Sequence, residues 1–526
     1  MNLVKSLGSV GGLTLVSRIL ALVRDTLQAR FVGAGFASDA FLVAFRLPNM
    51  FRALFAEGAF AASFIPMFSR KVAESDGELS AGLRFAEQAL SVLLPILVLS
   101  TAGLLIAAYP VTYALSGGFN DPTAEQFAYA VTLSRITLPY LFLISLVSLL
   151  GGILNSLGRF WVNAAAPILL NLAMVGALLL FHGDEYETAR VQAISIPVGG
   201  ALQLVWLILA CRRAGVKMRI RRPRMNDDVR QLLRLIVPAA AGAGAVQINL
   251  LISTALAGRL LDPGAISYIY YADRLNQLPL GLIGIGLATI LLPTIARLIN
   301  SGREEEAMDT QNRGVELALF LTLPATVAFI VSAQPIISGL FQHGVFTAED
   351  TVRCSWALSA FSIGLPAYVL IKVLTPGFYA REDTRTPVRY AMASVGVNLV
   401  GNLALIPLIG HVGPPLATAV AALVNVWMLY HTARKRGNFA PDAKLLRRLP
   451  RLAIAALLMG GSLYGIDILV EPYTTGNTWV RILGLGALVS GGFAVYLLAC
   501  FMTGAFRIAD LKALLRRRSR TEPKES

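Results

Sequence analysis

Ser17-Arg18-Ile19-Leu20-Ala21-Leu22-Val23-Arg24-Asp25 and Phe45-Arg46-Leu47-Pro48-Asn49-Met50-Phe51-Arg52 set arginines inside the first two apolar stretches of the chain, with Arg30 between them. The fold turns on what surrounds those side chains. A cation at the centre of a bilayer costs about 2.5–3.5 kcal/mol by the lower estimates, so in a membrane helix it must face a watery cavity or an anionic partner. The rest of the sequence places these helices in a membrane. The 526 residues are 56% apolar and only 15% charged, mean hydropathy is +0.64, and many runs approach the length of a bilayer-spanning helix. The chain reads as an all-α polytopic membrane protein.

Fourteen spans are predicted, at residues 6–31, 37–68, 88–113, 127–155, 160–181, 191–211, 232–257, 266–296, 314–334, 352–379, 388–408, 413–433, 450–470 and 479–503. Spans two, four, eight and ten run to about 28–32 residues, which leaves room for tilt. Pro48, Pro139, Pro279 and Pro366 predict kinks in them.

The connections alternate in charge. Basic residues fall in every second loop: Arg70 and Lys71; Arg159; the run Arg212 to Arg224; Arg297 and Arg303; Arg381, Arg385 and Arg389; Arg434 to Arg448. The intervening loops carry Asp121, Asp184-Glu185, Glu349-Asp350 and Glu471. Cytoplasmic loops hold the excess of Lys and Arg, so both termini are predicted cytoplasmic, in agreement with the tail Arg516-Arg517-Arg518. The same rule accounts for most of the net charge of +15 and predicts contact with anionic phospholipids of the inner leaflet rather than with nucleic acid. Cys211, Cys354 and Cys500 imply no disulfide framework, and the four histidines form no metal-ligand pattern. No cleaved signal is expected, because Arg18 and Arg24 interrupt the first apolar region.

An internal repeat organises the chain. A shift of 227 residues places Pro66 on Pro293, Arg70 on Arg297, Pro139 on Pro366 and Asn171-Leu172 on Asn398-Leu399. Six spans separate the copies, so the two six-helix repeats are predicted to lie parallel, as in transporters that hold substrate between two lobes. The predicted divisions are an N-lobe (1–211), a basic cytoplasmic linker (212–231), a C-lobe (232–433), a C-terminal helix pair with its preceding loop (434–503) and a basic cytoplasmic tail (504–526). The basic stretch Arg212 to Arg234 is predicted to form in part an amphipathic helix on the inner leaflet. The glycine-rich last pair is predicted to pack closely through small residues, with a lipid-facing groove as the alternative.

Arg18 and Asp25 are seven apart and share a helix face, as do Asp39 and Arg46, whereas Arg24 points about 120° away from Arg18. Asp25 is therefore the predicted partner of Arg18. Arg52 and Glu57 follow on span two, Asp273-Arg274 lies on span eight and Lys372 on span ten. Cations outnumber acids in this set, and surplus guanidinium suits a phosphate or diphosphate, which its planar fork binds with two parallel hydrogen bonds. Arg18, Arg24, Arg52 and Arg274 are the predicted ligands of that group. Asp25, Asp39, Glu57 and Asp273 are the predicted gating partners, and Lys372 is a possible cavity residue. Arg30 and Arg46, nearer predicted helix ends, read as snorkelling anchors.

The run from Gly8 to Arg70, with Ser17-Arg18, Val23-Arg24-Asp25, Gly33-Ala34-Gly35, Ser38-Asp39-Ala40-Phe41, Leu47-Pro48-Asn49, Arg52 and Phe55-Ala56-Glu57-Gly58-Ala59-Phe60, closely resembles the MurJ (MviN) lipid II flippases of bacterial peptidoglycan synthesis. Tyr271-Ala272-Asp273-Arg274-Leu275 strengthens the likeness, which extends over essentially the whole chain. The resemblance implies the fold of the multidrug/oligosaccharidyl-lipid/polysaccharide exporter superfamily, two six-helix lobes plus a C-terminal pair. It also implies that Arg18, Arg24, Arg52 and Arg274 hold the substrate diphosphate, that the acids gate it, and that the last helix pair takes the polyprenyl tail. Gln277 and Ala53 depart from residues common in relatives, which can be acidic and arginine at these positions. Some relatives bind sodium on spans seven, eleven and twelve. Asn249, Asn398, Asn402 and Thr418 offer no carboxylate there, which argues against a cation site.

The function this implies is flipping of lipid II, the undecaprenyl-diphosphate-linked peptidoglycan precursor, across the bacterial inner membrane by alternating access. No cofactor or metal is expected, and other cell-wall synthesis proteins are possible partners. An exporter of another polyprenyl-linked glycan or of drugs is the alternative; the clustered arginines disfavour a cationic-drug pump. An enzyme is disfavoured by the lack of a poised nucleophile or metal cluster, and a scaffold by the surplus cations.

Overall fold

A computed structural model describes residues 3–56, 59–75, 78–474 and 478–505. Glu57 and the tail Arg516-Arg517-Arg518 lie outside the described residues. Helices dominate, and no strand occurs among the described residues. The chain packs as two compact units, Met1–Tyr268 with His343–Thr347, and Ile269–Gln342 with Ala348–Ser526.

The first unit holds α1 (Leu3–Val32), α2 (Phe36–Ala56), α3 (Ala59–Ala73), α4 (Leu79–Ile106), α5 (Ala108–Ser116), α6 (Ala124–Thr137), α7 (Tyr140–Ser156), α8 (Phe160–Leu180), α9 (Glu185–Arg213), α10 (Asp227–Leu260) and the first turn of α11 (Ala265–Pro279). The second holds the rest of α11, a π-helical turn (Leu280–Gly284), α12 (Ile285–Asn300), α13 (Glu304–Val331), α14 (Ala333–Phe341), α15 (Ala348–Ile363), α16 (Leu365–Tyr379), α17 (Arg385–Ile409), α18 (Gly413–Lys435), α19 (Ala443–Thr474) and α20 (Thr478–Met502).

Eleven helical stretches are long and apolar enough to cross a membrane, against the fourteen expected. Three features account for the difference. In α1, the side chains of 3–9 are outside the described residues, and the remainder carries Arg18, Arg24 and Asp25 within eight residues. In α10, most side chains of 238–246 are outside the described set. The stretch 385–435 contains two helices, α17 and α18, divided at Gly410.

Proline lacks the amide that would close a helical hydrogen bond, and three of the four expected kinks are breaks. Pro139 separates α6 from α7, Pro279 ends α11 at the π-helical turn, and Pro366 opens α16 after Gly364. α2 runs through Pro48.

In the first unit, α1 lies along α8, and α8 along α9. α10 packs against α3 and α5. The α3–α4 contact is aromatic: Phe64 lies 5.2 Å from Phe60, 5.8 Å from Phe68 and 5.5 Å from Phe85. α1 ends at Gly33, whose φ of +73° suits a left-handed cap. The segment His343–Thr347 closes over that end, where Val345 N donates to Arg30 O at 3.0 Å. Gly344, at φ +63°, comes so near that a Cβ there would stand 2.2 Å from Arg30 O.

Of the 212–234 stretch expected to be helical in part, residues 227–234 open α10, whereas the linker before them is not helical. Gly215, at φ +76°, stops α9; residues 216–226 have no helix, and Pro223 offers no amide to build one. Buried Glu87 of α4 holds this segment instead, accepting from Arg219 N at 2.9 Å and from Arg221 Nε. Asn226 then caps α10 by accepting from Val229 N.

In the second unit, α12, α16 and α19 pack on α13. A second buried acid anchors the chain here. Glu316 of α13 pairs with Arg313 and Arg448, and Arg313 also pairs with Asp442, which accepts from Leu445 N at the start of α19. α19 and α20 pack on each other and on α13, with Tyr496 donating to Phe320 O at 2.7 Å. The small residues serve that contact: a Cβ on Gly460 would meet Val327, and one on Gly492 would meet Leu463.

Candidate functional site

Asp25 and Gln28 are fully enclosed on α1, and Arg24 is only 5% exposed. Arg24 does what an enclosed cation must, finding an acid and filling its remaining donors. Its Nε and Nη2 donate to Asp25 Oδ1 at 3.0 and 2.6 Å, and its Nη1 donates to Asn171 Oδ1 of α8 at 3.2 Å. Met174 sulfur lies 3.7 Å from Nη1. The amide of Asn171 is itself oriented, because its Nδ2 donates to Ser17 O at 3.2 Å. One turn further along, Gln192 of α9 donates to Gln28 at 3.1 Å. Residues of α1 and α8 thus hold the guanidinium, and α9 holds the next turn of α1 through Gln28.

The partner of Asp25 is therefore Arg24 rather than the expected Arg18. Adjacent residues point about 100° apart on a helix, but an arginine is long enough to turn its head back across that angle. Arg18 is half-buried and has neither a hydrogen bond nor an ion pair among the described residues.

On α2, Asp39 and Arg46 share a helix face, and the partners of Asp39 lie at the start of another helix. Asp39 caps α11: Gly264 N donates to its Oδ2 at 2.7 Å, and Ser267 N and Oγ donate to its Oδ1 at 2.8 and 2.6 Å. The first amides of a helix lack partners within it and carry its positive end, so a buried carboxylate is at home there. Gly264 is required by this turn, with φ +99° and a would-be Cβ 2.5 Å from Ala34 O. Arg46 lies in the first third of the helical stretch Phe36–Ala73, and its Nη2 donates to Leu250 O at 3.4 Å. Arg52 is half-buried and donates from Nε to Asn49 Oδ1, one turn back, at 3.0 Å. Arg30, in the last turn of α1, is exposed and lies 5.5 Å from the Phe31 ring centroid.

In the second unit, Arg274 stacks on Tyr270, with its guanidinium carbon 5.0 Å from the ring centroid, and donates from Nη2 to the Tyr270 hydroxyl at 2.7 Å. An aromatic face attracts a cation without neutralising it. Asp273 accepts from the Gln277 side chain, so the amide that departs from the usual acid acts as a donor. Lys372 of α16 is exposed, without a hydrogen bond or ion pair among the described residues; its Cγ would stand 3.4 Å from a Cβ at Gly284, the last residue of the π-helical turn.

Several of these holding residues were not expected. Asn171 entered the sequence reading only as a repeat marker, yet a lone amide in Ile168-Leu169-Leu170-Asn171-Leu172-Ala173-Met174 signals a hydrogen-bonding partner at membrane depth. Tyr270 and Ser267 carried no such signal. Glu87 fell one residue before the predicted third span, and Glu316 was passed over inside the ninth.

Chemically, an oxyanion could replace the neutral Asn171 amide at Arg24 Nη1 while the pair with Asp25 stays in place. Arg18, near the middle of α1, has no partner among the described residues to exchange for such a ligand.

The sequence model of the family described as lipid II flippase MurJ matches residues 28–484. A probable lipid II flippase MurJ of Rhizobium tropici is 41% identical over 98% of this chain and 97% of its own length. Among solved structures, a lipid II flippase MurJ in an inward closed conformation superposes with a TM-score of 0.76 at 24% identity, covering 93% of this chain and 97% of that one. An inward-facing multidrug resistance MATE family transporter of the MOP superfamily gives 0.63 at 17% identity, over 80% of this chain and 94% of that one, so the fold is shared beyond the family. The match along nearly the whole of both sequences decides the assignment: the chain belongs to the MurJ lipid II flippase family.

Proposed function

We infer that this protein is a lipid II flippase of the bacterial cytoplasmic membrane, carrying the undecaprenyl-diphosphate-linked precursor from the inner to the outer leaflet for cell-wall synthesis. The observation that carries the reading is the 41% identity to a probable lipid II flippase over 98% of the chain. It works as a transporter and not as an enzyme, by alternating access, and the ligand must bind its states unequally for the cycle to run.

In this reading Arg18, Arg24, Arg52 and Arg274 contact the diphosphate, Asp25, Asp39, Glu57 and Asp273 exchange contacts during the cycle, and Lys372 stands by the substrate path. Fourteen spans lie in two parallel six-helix repeats plus a C-terminal pair that takes the polyprenyl tail, with both termini cytoplasmic. Support for the repeat comes from matched lengths in order: α4 and α13 have 28 residues each, and the short helices after them, α5 and α14, have 9 each. The basic 212–224 stretch contacts anionic phospholipids of the inner leaflet.

The test is the leaflet distribution of lipid II in cells rapidly depleted of this protein and complemented with the parent or with Arg18→Ala. Accumulation in the inner leaflet, relieved by the parent, is the expected result. A distribution unchanged by depletion would refute the function, and full complementation by Arg18→Ala would remove Arg18 from the site.

A further inference from the structure

Arg24 has its Nε and both terminal nitrogens engaged, but its partners differ in kind. Asp25 is the next residue of α1 and travels with the arginine wherever that helix goes. Asn171 belongs to α8 and holds the arginine from outside α1. Its orientation is fixed from behind: Nδ2 donates to Ser17 O at 3.2 Å and lies 3.5 Å from Ser17 Oγ, so Oδ1 faces Nη1 of Arg24. Asn171 and Met174 cover the Nη1 side of the guanidinium together, and both are buried.

We propose that Asn171 is a positioning residue that parks Arg24, so that substrate binding begins when a diphosphate oxygen displaces the Asn171 amide from Nη1. The proposal rests on the reading that Arg24 contacts the diphosphate. A charged oxygen is a stronger acceptor for a guanidinium N–H than a neutral amide oxygen, so the exchange runs toward the ligand. It leaves Asp25 in place, and the buried pair survives while the arginine gains its new partner. Apparent affinity is then reduced by the fraction of protein in which Arg24 is parked, as for any site whose competent state is only partly populated. Asn171 thereby sets affinity and release together without touching the substrate.

The prediction has a sign. Weakening the hold raises lipid II affinity and strengthening it lowers affinity, and both effects act through Arg24. The experiment is titration of the purified full-length protein in nanodiscs with fluorescent lipid II. Asn171→Ala should bind about tenfold tighter, the size expected for releasing one hydrogen bond to a charged group. Asn171→Asp should bind weaker by a similar factor, because a carboxylate holds the arginine harder. Asn171→Ser, a smaller change, should fall between Asn171→Ala and the parent. A residue needed only for packing would shift all three in one direction.

The reference is Arg24→Ala combined with Asp25→Asn, which removes the pair without stranding a buried carboxylate. If that protein binds lipid II as the parent does, the diphosphate reading of Arg24 fails. If it binds weakly while the Asn171 variants are unchanged or all weaker, the parking role fails and the reading of Arg24 stands. Asn171→Ala introduced into the double variant should produce no gain; a persistent gain would show that Asn171 acts elsewhere and overturn the proposal.

Discussion

Arg18 and Arg24 sit six residues apart on the same helix in opposite circumstances. Arg24 is enclosed, with its charge answered by Asp25 and its Nη1 held by Asn171 of α8. Arg18 is half-buried, with no hydrogen bond or ion pair among the described residues. Arg24 is built into the packing, so its removal damages the fold whatever else it does, whereas Arg18 has no polar contact among the described residues to lose.

The largest expected effect breaks that contrast directly. Arg24→Ala leaves the Asp25 carboxylate buried without its counter-charge, a loss of about 3–5 kcal/mol. Arg18→Ala should change stability by no more than about 0.5 kcal/mol. Thermal melting of the two purified variants checks this, and equal melting points would erase the distinction. Next in size is Gly344→Ala, which forces a Cβ toward Arg30 O at a left-handed backbone position and should cost about 1–3 kcal/mol, loosening the held end of α1. Faster hydrogen exchange confined to the end of α1 would report it.

Smaller still is an ion pair outside the membrane. Asp383, between α16 and α17, accepts from Thr386 N at 3.0 Å and from Arg436 Nη1 at 2.6 Å, and the Thr386 contacts with the arginine lower its pKa to about 2. Its folded value lies below the ordinary one near 4. The stabilisation is therefore present above pH 4 and is lost as pH falls through about 2. Both side chains are partly solvated, so the amount is below about 1 kcal/mol, and Asp383→Asn should remove that pH dependence from the melting curve. The least effect is expected from Ser17→Ala, which leaves the backbone acceptor of Asn171 intact and should stay within about 0.5 kcal/mol.

The helices were legible because apolar runs and prolines act locally. Each stretch predicted as a span contains helix, and the breaks at Pro139, Pro279 and Pro366 follow from the missing amide of one residue type. The site was less legible because its contacts are not local. Helical phase alone could assign Arg18 to Asp25, but it cannot weigh the reach of the Arg24 side chain or the arrival of Asn171, 147 residues away. The linker between α9 and α10 misled for the opposite reason. Its basic residues suggested a helix on the inner leaflet, and the partner that holds 219–221, Glu87, lay more than 130 residues earlier in the chain.

The cap that Asp39 places on α11 has a consequence for how that contact can end. A surface ion pair fades by degrees, because water replaces each partner as it leaves. Here one carboxylate serves two backbone amides and a hydroxyl in a site where it is almost completely enclosed. Parting the two helices would strip the start of α11 of its acceptor and leave Asp39 without its donors in the same movement. The losses arrive together, so intermediate separations are the least favourable of all. Such a joint behaves as a latch, either seated or fully released, and the free energy of water entering behind it sets the threshold for letting go.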